Sequence, residues 1–302
     1  MMRVAITGGT GFLGDYVVEH LISKGHIPVI LTRSKESIKK GNVDSKITSY
    51  DKCDLIGKLK GIDGVIHLAA TRGSQGMISE FHDNEVLTQN LYDACYELGI
   101  KNIVYASTIS IYSSQKELPW KENQLPLPKL MYGVSKLTCE HIGNIYSLKK
   151  GMNVKNLRLA HLYGFNEKNN YMINKFFRQA FHKKELNLHG KSIAKREFLY
   201  AKDAAIAIIC ALEKQDLSGT YNIGSEEAFT NYEVAFHINE VFCNTGNLSI
   251  KDPKASEGIE PSFMDSSLSK KELGYVPNYT FTTAIGEIYS LMKELDDVPL
   301  LY

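Results

Sequence analysis

Tyr132 and Lys136 stand four residues apart at the start of a predicted helix, so both side chains lie on one face of it. A tyrosine has an ordinary pKa of about 10 and is a weak base at neutral pH, but a neighbouring ammonium favours its phenolate form. Thr108, which follows a predicted strand, supplies a hydroxyl that can hydrogen-bond a substrate oxygen beside Tyr132. We therefore predict that this group removes a proton from an alcohol, as the oxidation of an alcohol requires.

A glycine-rich turn near the start of the chain is the second candidate for chemistry. An apolar run at residues 4–6 leads into glycines at positions 8, 11 and 14, and a helical pattern follows. Glycines let the backbone turn tightly and leave the amides of a helix N-terminus open to a phosphate. The spacing Gly-x-x-Gly-x-x-Gly differs from the commonest dinucleotide fingerprint, and a turn without a ligand is the alternative interpretation. The residues predicted to contact a dinucleotide here are Gly8, Thr10, Gly11, Phe12, Leu13 and Gly14.

The end of the second predicted strand bears on which dinucleotide is bound. A carboxylate about 20 residues after the glycine turn accepts the hydroxyls of an adenosine ribose, whereas an arginine pairs with a 2′-phosphate. Here Thr32 and Arg33 occupy that position. We therefore predict an NAD(P) site that favours NADP over NAD, with a solvated basic turn as the alternative.

The apolar run at residues 64–70 is predicted to be a central parallel strand that is buried on both faces. It ends in Ala69 and Ala70, whose small side chains would let a flat cofactor lie against the backbone. His67 within the run is interpreted as a hydrogen-bonded core residue rather than a catalyst. Arg72, in the following loop, is a candidate for binding a substrate anion, with a surface arginine as the alternative.

Strands alternate with helices in the first part of the chain. Strands are predicted around residues 4–7, 28–31, 47–50, 64–70, 103–106 and 154–159, and helices around residues 15–24, 54–60, 81–98 and 132–149. This alternation predicts an α/β fold with a Rossmann-type doubly wound parallel sheet. Because ligands bind at the carboxyl ends of such strands, the loops after residues 7, 31, 70, 106 and 159 should share one crevice.

The alternation loosens beyond residue 164. Helices are predicted at residues 171–184, 198–212, 231–242, 267–273 and 282–295, and a short strand at 220–223 is expected to return to the main sheet. We predict a dinucleotide-binding domain of residues 1–165 with a return segment at about 198–225. Residues 166–197 and 226–302 are predicted to form a smaller C-terminal substrate lobe.

The composition argues against several classes of partner. The 302 residues carry a net charge of +1 with no long run of like charges, which predicts neither a nucleic-acid nor a membrane partner. The sequence enters a strand directly after Arg3, which leaves no room for a signal peptide. Five widely spaced cysteines and nine histidines show no metal-ligand spacing, so we expect reduced thiols, no metal and a cytoplasmic location.

With these motifs in order, the chain resembles the extended short-chain dehydrogenase/reductase family, in its NAD(P)-dependent nucleotide-sugar epimerase/dehydratase branch. The resemblance covers nearly the whole length and extends to 4-epimerases of UDP-glucose and UDP-N-acetylglucosamine. It rests on the segments at residues 7–14, 65–70, 104–108, 132–136, 158–164, 196–203 and 222–224.

The resemblance implies a role for individual residues. Thr108, Tyr132 and Lys136 would form a catalytic triad, with Lys136 also holding the nicotinamide ribose. Asp51 would bond the adenine amino group, and Asn84 would lie on the helix beside the cofactor. The remaining predicted cofactor contacts are Leu68, Ala69, Ala70, Ser107, Tyr132, Ala160 and Leu162. The predicted substrate contacts are Arg72, Thr108, His161 and Arg196, of which Arg196 would bind a nucleotide diphosphate.

Three departures from the family pattern narrow the expected activity. Dehydratases of this branch carry an Asp-Glu pair after the catalytic threonine, but Ile109 and Ser110 stand there, so dehydration is not expected. Thr32 replaces the ribose-binding carboxylate of many NAD-dependent members. No arginine stands near residues 263–265, where many members bring a second arginine to the diphosphate.

The first hypothesis is therefore a nucleotide-sugar epimerase that acts at C4 of a UDP-hexose or UDP-N-acetylhexosamine by transient oxidation and hydride return. The second is an NADP-dependent reductase of a keto-sugar or another small carbonyl, which Arg33 and the missing second arginine favour. The third is a non-catalytic dinucleotide sensor, although such proteins usually lose the tyrosine or the lysine. A homodimer is expected because the helices at residues 81–98 and 132–149 carry more apolar residues than one sheet face needs.

Overall fold

The computed structural model describes residues 1–34, 43–72 and 76–302 of the chain. The strands of the described residues are β1 (Arg3–Thr7), β2 (Ile27–Thr32), β3 (Asp44–Ile47), β4 (Gly64–His67), β5 (Asn102–Thr108), β6 (Asn153–Leu159), β7 (His161–Tyr163), β8 (Leu186–His189), β9 (Arg196–Tyr200), β10 (Gly219–Ile223), β11 (Ala228–Phe229) and β12 (Leu248–Lys251). The helices are α1 (Phe12–Ser23), α2 (Lys52–Lys58), α3 (His82–Glu97), α4 (Met131–Lys150), α5 (Met172–Phe181), α6 (Ala201–Glu213), α7 (Asn231–Val241), α8 (Ser267–Leu273) and α9 (Phe281–Lys293), with short 3-10 helices at Ile78–Glu80 and Ile109–Tyr112.

A seven-stranded parallel sheet forms the centre of the fold. Its strands lie in the order β10-β6-β5-β4-β1-β2-β3, so the chain starts in the middle and winds towards both edges. Helices α1 and α6 pack together on one face, and α2, α3 and α4 cover the other. Because both faces are covered, the central strands read as continuous apolar runs. The predicted Rossmann-type doubly wound sheet is confirmed.

The second part of the chain builds its own hydrophobic cluster. Strands β11, β9 and β7 form a three-stranded sheet, and β12 pairs with β8. Helices α5, α7 and α9 pack against one another beside these strands. Aromatic rings fill much of the space between them, with Phe177 stacked on Phe242 at 5.8 Å between ring centroids. Aromatic packing of this kind contributes through both buried area and ring geometry.

Two predicted elements are corrected by the structure. The third strand was predicted at residues 47–50 but lies at Asp44–Ile47, because this edge strand is partly exposed and carries no apolar run. Residues 198–200 were predicted to begin a helix but complete β9, which pairs with β7 and β11, and the helix begins at Ala201. The strand at Gly219–Ile223 does return to the main sheet, beside β6.

Several expected absences can be examined in the described part of the chain. All five cysteines lie in this part and are free. Within it, no group of histidine, cysteine, aspartate or glutamate side chains has the arrangement of a metal site. The described helices include none that combines the length and the apolar character needed to span a membrane.

Candidate active site

A cleft of about 710 Å³ lies at the carboxyl ends of β1, β4, β5 and β6. The loops after residues 7, 70, 106 and 159 line it as predicted, whereas the described part of the loop after residue 31 contributes nothing to its lining. Most residues predicted for the cofactor and substrate meet here. They are Gly8, Gly11, Phe12, Leu13, Gly14, Leu68, Ala69, Ala70, Arg72, Ser107, Thr108, Tyr132, Lys136, Ala160, His161, Leu162 and Arg196.

The glycine turn requires glycine for steric reasons. Gly8 has a φ of +72°, and a Cβ on it would lie 2.7 Å from the backbone nitrogen of Ala69. A Cβ on Gly14 would lie 2.3 Å from the carbonyl oxygen of Gly8. Gly11 is the N-cap of α1, and no side chain caps this helix N-terminus. The amides at the start of α1 therefore face the cleft unblocked, in the arrangement that binds a pyrophosphate.

His67 is a core residue, as predicted. Its Nδ1 lies 2.7 Å from the Oγ1 of Thr7, and its Nε2 lies 3.0 Å from the Oγ1 of Thr88. The same Thr7 oxygen accepts a hydrogen bond from the backbone amide of Ala69, at 3.2 Å. Burial lowers the pKa of His67 to about 3, and the charge of Lys136 acts in the same direction. A neutral imidazole thus fixes the ends of β1 and β4 where they meet the cleft.

The three predicted catalytic side chains are brought to the wall of the same cleft from two elements. Thr108 ends β5, and its Oγ1 accepts the backbone amide of Ser110 at 3.2 Å, which caps the following 3-10 helix. Tyr132 and Lys136 lie in the first turns of α4, whose N-terminus stands beside the cleft. The Nζ of Lys136 donates to the carbonyl oxygen of Ala106 at 2.6 Å.

One electrostatic expectation for this group is corrected. We predicted that Lys136 lowers the pKa of Tyr132, but burial raises the pKa of Tyr132 to about 12, and the charge that opposes the rise is that of Arg72. Burial also lowers the pKa of Lys136 to about 8. The physical reason is that the ammonium is directed towards the Ala106 carbonyl and lies over the ring of Tyr105, at 4.6 Å from its centroid.

Five predicted cofactor residues lie outside the lining of the cleft. Thr10 belongs to the glycine turn, Arg33 is exposed after β2, and Asp51 is exposed before α2. The Oγ1 of Thr32 accepts the backbone amide of Ser34, so this hydroxyl is engaged in a local turn.

Asn84, the fifth of these residues, is buried behind the cleft wall. Its side-chain oxygen accepts the backbone amide of Thr71 at 2.7 Å, and its nitrogen donates to the Thr71 carbonyl and to the hydroxyl of Ser135. It thereby fixes the loop between Ala70 and Arg72 against α4.

Two of the predicted substrate residues, His161 on β7 and Arg196 on β9, line the cleft from the three-stranded sheet. The Nη2 of Arg196 donates to the side-chain oxygen of Asn231 at 2.7 Å, while its Nε has no hydrogen-bond partner among the described residues. The Nε2 of His161 lies 3.0 Å from the Oγ of Ser262, and burial lowers the pKa of His161 to about 4. At neutral pH this wall therefore presents an uncharged imidazole beside a guanidinium.

The third predicted substrate residue, Arg72, pairs across the cleft. Its Nη1 lies 3.9 Å from the Oε1 of Glu167, a carboxylate that is buried in the wall. Burial raises the pKa of Glu167, and the charge of Arg72 opposes this rise.

Sequence reasoning missed a second set of lining residues. Many of them follow β7, a three-residue strand whose pattern is too short to be predicted, and they lie in the loop that leads to α5. A signal was available in the polar stretch of residues 166–170, which interrupts the helical pattern. The missed residues are Ala106, Ile109, Ser110, Leu130, Leu159, Glu167, Asn169, Tyr171, Met172, Ile173 and Phe198.

Comparison with known families adds an independent observation. The family model described as "NAD dependent epimerase/dehydratase family" matches residues 4–224, which contain the glycine turn and all three predicted catalytic residues.

The chain belongs to the NAD dependent epimerase/dehydratase family.

This epimerase/dehydratase family member has similar proteins along its full length. A Bacillus subtilis protein named as an uncharacterized UDP-glucose epimerase, YtcB, is 30% identical over 91% of this chain and 93% of its own length. A crystal structure of UDP-N-acetylglucosamine 4-epimerase from Bacillus cereus is 61% identical, with a TM-score of 0.94 and complete coverage of both chains. A Thermus thermophilus UDP-glucose 4-epimerase, solved as a complex with NAD, is 25% identical with a TM-score of 0.82 and covers 97% of this chain and 99% of its own. The predicted family and enzyme class are confirmed.

Proposed function

We propose that this family member is an NAD(P)-dependent 4-epimerase of a UDP-hexose or a UDP-N-acetylhexosamine. The observation that carries the proposal is the similarity to a UDP-N-acetylglucosamine 4-epimerase, which is 61% identical and covers the full length of both chains. The cleft supports it, because Thr108, Tyr132 and Lys136 line the same space as the glycine turn. A dehydratase activity finds no support, since the positions after Thr108 hold Ile109 and Ser110, which cannot exchange protons as carboxylic acids do.

The glycine turn would hold the dinucleotide. A side chain at Gly8 or Gly14 would collide with backbone atoms near the turn. The turn can therefore bring the helix N-terminus close to a pyrophosphate only if both residues are glycine. Ala69 and Ala70 offer small side chains along the same wall. When bound, a nicotinamide accepts hydride from C4 of the sugar and returns it to the same carbon.

The side chains of the cleft would carry the proton and hold the substrate. Tyr132 accepts the proton of the C4 hydroxyl and later returns it, and Thr108 orients that oxygen by a hydrogen bond. Because burial raises the pKa of Tyr132 to about 12, the phenolate form depends on nearby positive charge, which Arg72 supplies. Arg196 would pair with the diphosphate; its Nε is buried and has no hydrogen-bond partner among the described residues, which leaves one donor of the guanidinium without an acceptor.

One part of the chain would bind the dinucleotide and the other would bind the substrate. Residues 1–165 with the return segment at about 198–225 would form the dinucleotide-binding domain, and residues 166–197 and 226–302 the substrate lobe. Support for this division comes from the hydrophobic cluster among α5, α7 and α9, which is separate from the clusters on the two faces of the main sheet, while Leu273 and Tyr275 of the lobe pack into one of those sheet clusters. Tyr171 and Met172, at the start of α5, bring the lobe to the cleft wall.

The choice between NAD and NADP is a separate proposal. Arg33 supports NADP because it is an exposed cation at the end of β2 and no carboxylate stands at Thr32. Dissociation constants of both dinucleotides should therefore show tighter NADP binding, and Arg33→Ala should remove the difference. Tighter NAD binding in the unaltered protein would instead fit the NAD complexes of similar epimerases and would show that Arg33 does not recognise a 2′-phosphate.

We also propose a homodimer built on α3 and α4. These helices pack side by side, and their outer faces expose Val86, Tyr96, Ile145 and Leu148, the last of them 86% exposed. An exposed apolar face of this kind is typical of an interface between subunits. Sedimentation should give a dimer for the unaltered protein and a monomer for Leu148→Glu; a monomer in both cases would contradict the proposal.

A cytoplasmic location remains a further proposal. It is supported by five cysteines that are all free thiols, as proteins of reducing compartments usually have. Fractionation of cells that express the protein would check it, and recovery outside the cytoplasm would contradict it.

The decisive experiment for the activity uses the purified protein and UDP-sugars. Conversion of UDP-N-acetylglucosamine or UDP-glucose to its C4 epimer, with catalytic dinucleotide and no net change in absorbance at 340 nm, is the expected result. Net consumption of NADPH with a keto-sugar would indicate a reductase instead. Absence of both reactions in a protein that binds the dinucleotide would favour a sensor.

A further inference from the structure

The buried carboxylate of Glu140 has no part in the chemistry described so far. Glu140 lies on α4, one helical turn after Lys136 and two turns after Tyr132, so the three side chains share one face of the helix. It is only 1% exposed. A buried charge of this kind needs partners, because its desolvation costs several kcal/mol.

Glu140 is bonded to the two strands that end at the cleft. Its Oε1 accepts the hydroxyl of Ser107 on β5 in a short hydrogen bond. Its two oxygens accept the Nε and Nη2 of Arg158 on β6, at 3.1 Å and 2.8 Å. Arg158 also donates to the hydroxyl of Tyr112, at 2.5 Å, which in turn donates to the side-chain oxygen of Asn222 on β10. The network therefore connects α4 with three neighbouring strands of the sheet.

Stability alone is a weak reason for this ion pair. Replacing a buried ion pair by uncharged side chains of similar volume is often neutral or stabilising, because the desolvation of two charges offsets their attraction. The location of Glu140 gives a better reason. Two consecutive residues of β5 are bonded to α4 immediately before Thr108: the carbonyl of Ala106 accepts Lys136, and Ser107 donates to Glu140.

Glu140 also affects the charge of Lys136. Burial lowers the pKa of Lys136 to about 8, and the negative charges of Cys139, when ionised, and Glu140 oppose this. The groups that face Lys136 from the surrounding elements are Cys139 and Glu140 on α4, His67 on β4, Arg72 in the following loop, and Tyr105 on β5. Burial raises the pKa of Cys139 and lowers that of His67 to about 3, so both are neutral near pH 7. The positive charge of Arg72 lowers the pKa of Lys136, and the negative charge of Glu140 raises it.

We propose that Glu140 is a positioning residue for the epimerase reaction. It ties the end of β5, with Ser107 and Thr108, to the face of α4 that carries Tyr132 and Lys136, and it places a negative charge one turn from Lys136. The proposal rests on the proposed function, in which Tyr132 is the base and Arg72 supplies the opposing charge, and it adds that the Lys136 ammonium in the same cleft wall is required for turnover.

Glu140→Gln tests both parts of the proposal. We expect kcat to fall by about ten- to a hundredfold with little change in KM, because a small misplacement of reacting groups has an effect of this size. Without the carboxylate, Lys136 should lose its proton at lower pH, and the alkaline limb of the kcat profile should move down by about one pH unit. If Glu140 has only a structural role, the variant will have a lower melting temperature but the kcat and pH profile of the unaltered protein.

Glu287→Gln is the matched control. Glu287 bonds Lys202 and accepts the hydroxyl of Tyr200 at 3.1 Å, and it does not line the cleft. We expect this variant to lose stability while kcat and the pH profile stay unchanged. A similar shift of the alkaline limb in Glu287→Gln would mean that the effect is not specific to Glu140, and the proposal would be overturned.

A second variant is needed because Glu140→Gln leaves Arg158 buried without its partner. Glu140→Gln combined with Arg158→Met removes both charges at similar volume, and such replacements are usually tolerated. We expect the double variant to fold and still to show the loss of kcat and the shifted alkaline limb. An unchanged kcat and an unchanged alkaline limb in the folded double variant would contradict the proposal.

A measurement without turnover separates this proposal from the proposed function. The titration of Lys136 can be followed by NMR with ¹³C-labelled lysine, using Lys136→Arg to assign the signal. We expect a lower titration midpoint in Glu140→Gln than in the unaltered protein, and an equal midpoint would refute the electrostatic part. If UDP-sugars are not epimerised by the unaltered protein, the proposed function fails, while this titration still gives its own result.

Discussion

The two sides of the cleft are built in different ways. The proposed dinucleotide side consists largely of one contiguous stretch, residues 8–14, which joins the end of β1 to the first turn of α1. The proposed sugar side is assembled from His161 and two further segments, residues 167–173 and 196–198. The first side depends on backbone geometry and on residues without side chains, whereas the second depends on hydrogen bonds and charges between distant residues.

This difference shows why one side can be recognised from a short motif and the other cannot. A glycine at a position with positive φ or with a close backbone contact is required by local geometry, and local geometry is encoded locally. A pairing such as His161 with Ser262 joins residues 101 positions apart, and neither residue indicates the other in the sequence. This contrast between the two sides leads to four predictions.

Loss of the proposed base should stop turnover while both ligands still bind. Tyr132→Phe should lower kcat by about a thousandfold, because it removes the proton acceptor, while the dissociation constant of the dinucleotide stays nearly unchanged. Tyr171→Phe is the control, since Tyr171 lines the same cleft and is 62% exposed. Turnover measures the first effect and dinucleotide titration the second. Full activity of Tyr132→Phe would show that Tyr132 is not the base.

The two sides should differ in their response to pH. Residues 8–14 contain no titratable side chain, whereas Glu197, 1% exposed, accepts the backbone amides of Ser225, Glu226 and Met264 beside the sugar side. Burial raises the pKa of Glu197 from 4.5 to about 7. The folded protein therefore binds this proton more tightly than the unfolded chain, and stability should fall as pH rises from about 4.5 to about 7, by about 3 kcal/mol.

Glu197→Gln should remove this part of the slope. The variant also loses an acceptor oxygen for at least one backbone amide, which lowers its stability at every pH. The variant and the unaltered protein should therefore be compared by the change in unfolding free energy between pH 5 and 7, not by its absolute value. Urea unfolding at both pH values gives the two slopes. Equal slopes in the variant and the unaltered protein would show that Glu197 does not titrate differently on folding.

A methyl group in the glycine turn should damage the dinucleotide side alone. In Gly14→Ala the new Cβ would lie 2.3 Å from the Gly8 oxygen, so the turn must shift, at a cost of about 2 kcal/mol in stability and with weaker dinucleotide binding. Gly286→Ala is the control, because no described atom beyond the adjoining turns of α9 lies within 4 Å of its added Cβ, and it should stabilise slightly. Calorimetry of both variants, with and without dinucleotide, measures these changes, and tight binding by Gly14→Ala would contradict the expected role of the turn.

Removal of one charge from the sugar side should have the smallest effect of the four. Arg196→Met should raise KM for the UDP-sugar about tenfold and leave the dinucleotide affinity unchanged, because one charge-assisted pair is lost. Lys195→Met removes a neighbouring exposed charge and should change neither value. Steady-state kinetics distinguish the two, and an unchanged KM for Arg196→Met would place the diphosphate elsewhere.

Much of the fold could be predicted because its central strands are buried on both faces. The run at residues 64–70 and the glycines after β1 carry patterns that few other structures produce. Strand β3 was misplaced because it lies at an exposed edge, and residues 198–200 were misread because their apolar pattern continues into α6. Strands β7, β8, β11 and β12 are two to four residues long and escaped prediction, since so short a run has no measurable period.

The doubly wound sheet, the glycine turn and the family order of Thr108, Tyr132 and Lys136 can be inferred from the sequence alone, because they depend on the residues' own backbone preferences and local spacing. Which groups these side chains meet depends on the tertiary structure. It directs Lys136 to the Ala106 carbonyl, and it leaves Tyr132 with a raised pKa. The reason is that the strength of a charge interaction depends on burial and on distance across the fold, and neither is written in the spacing of residues along the chain.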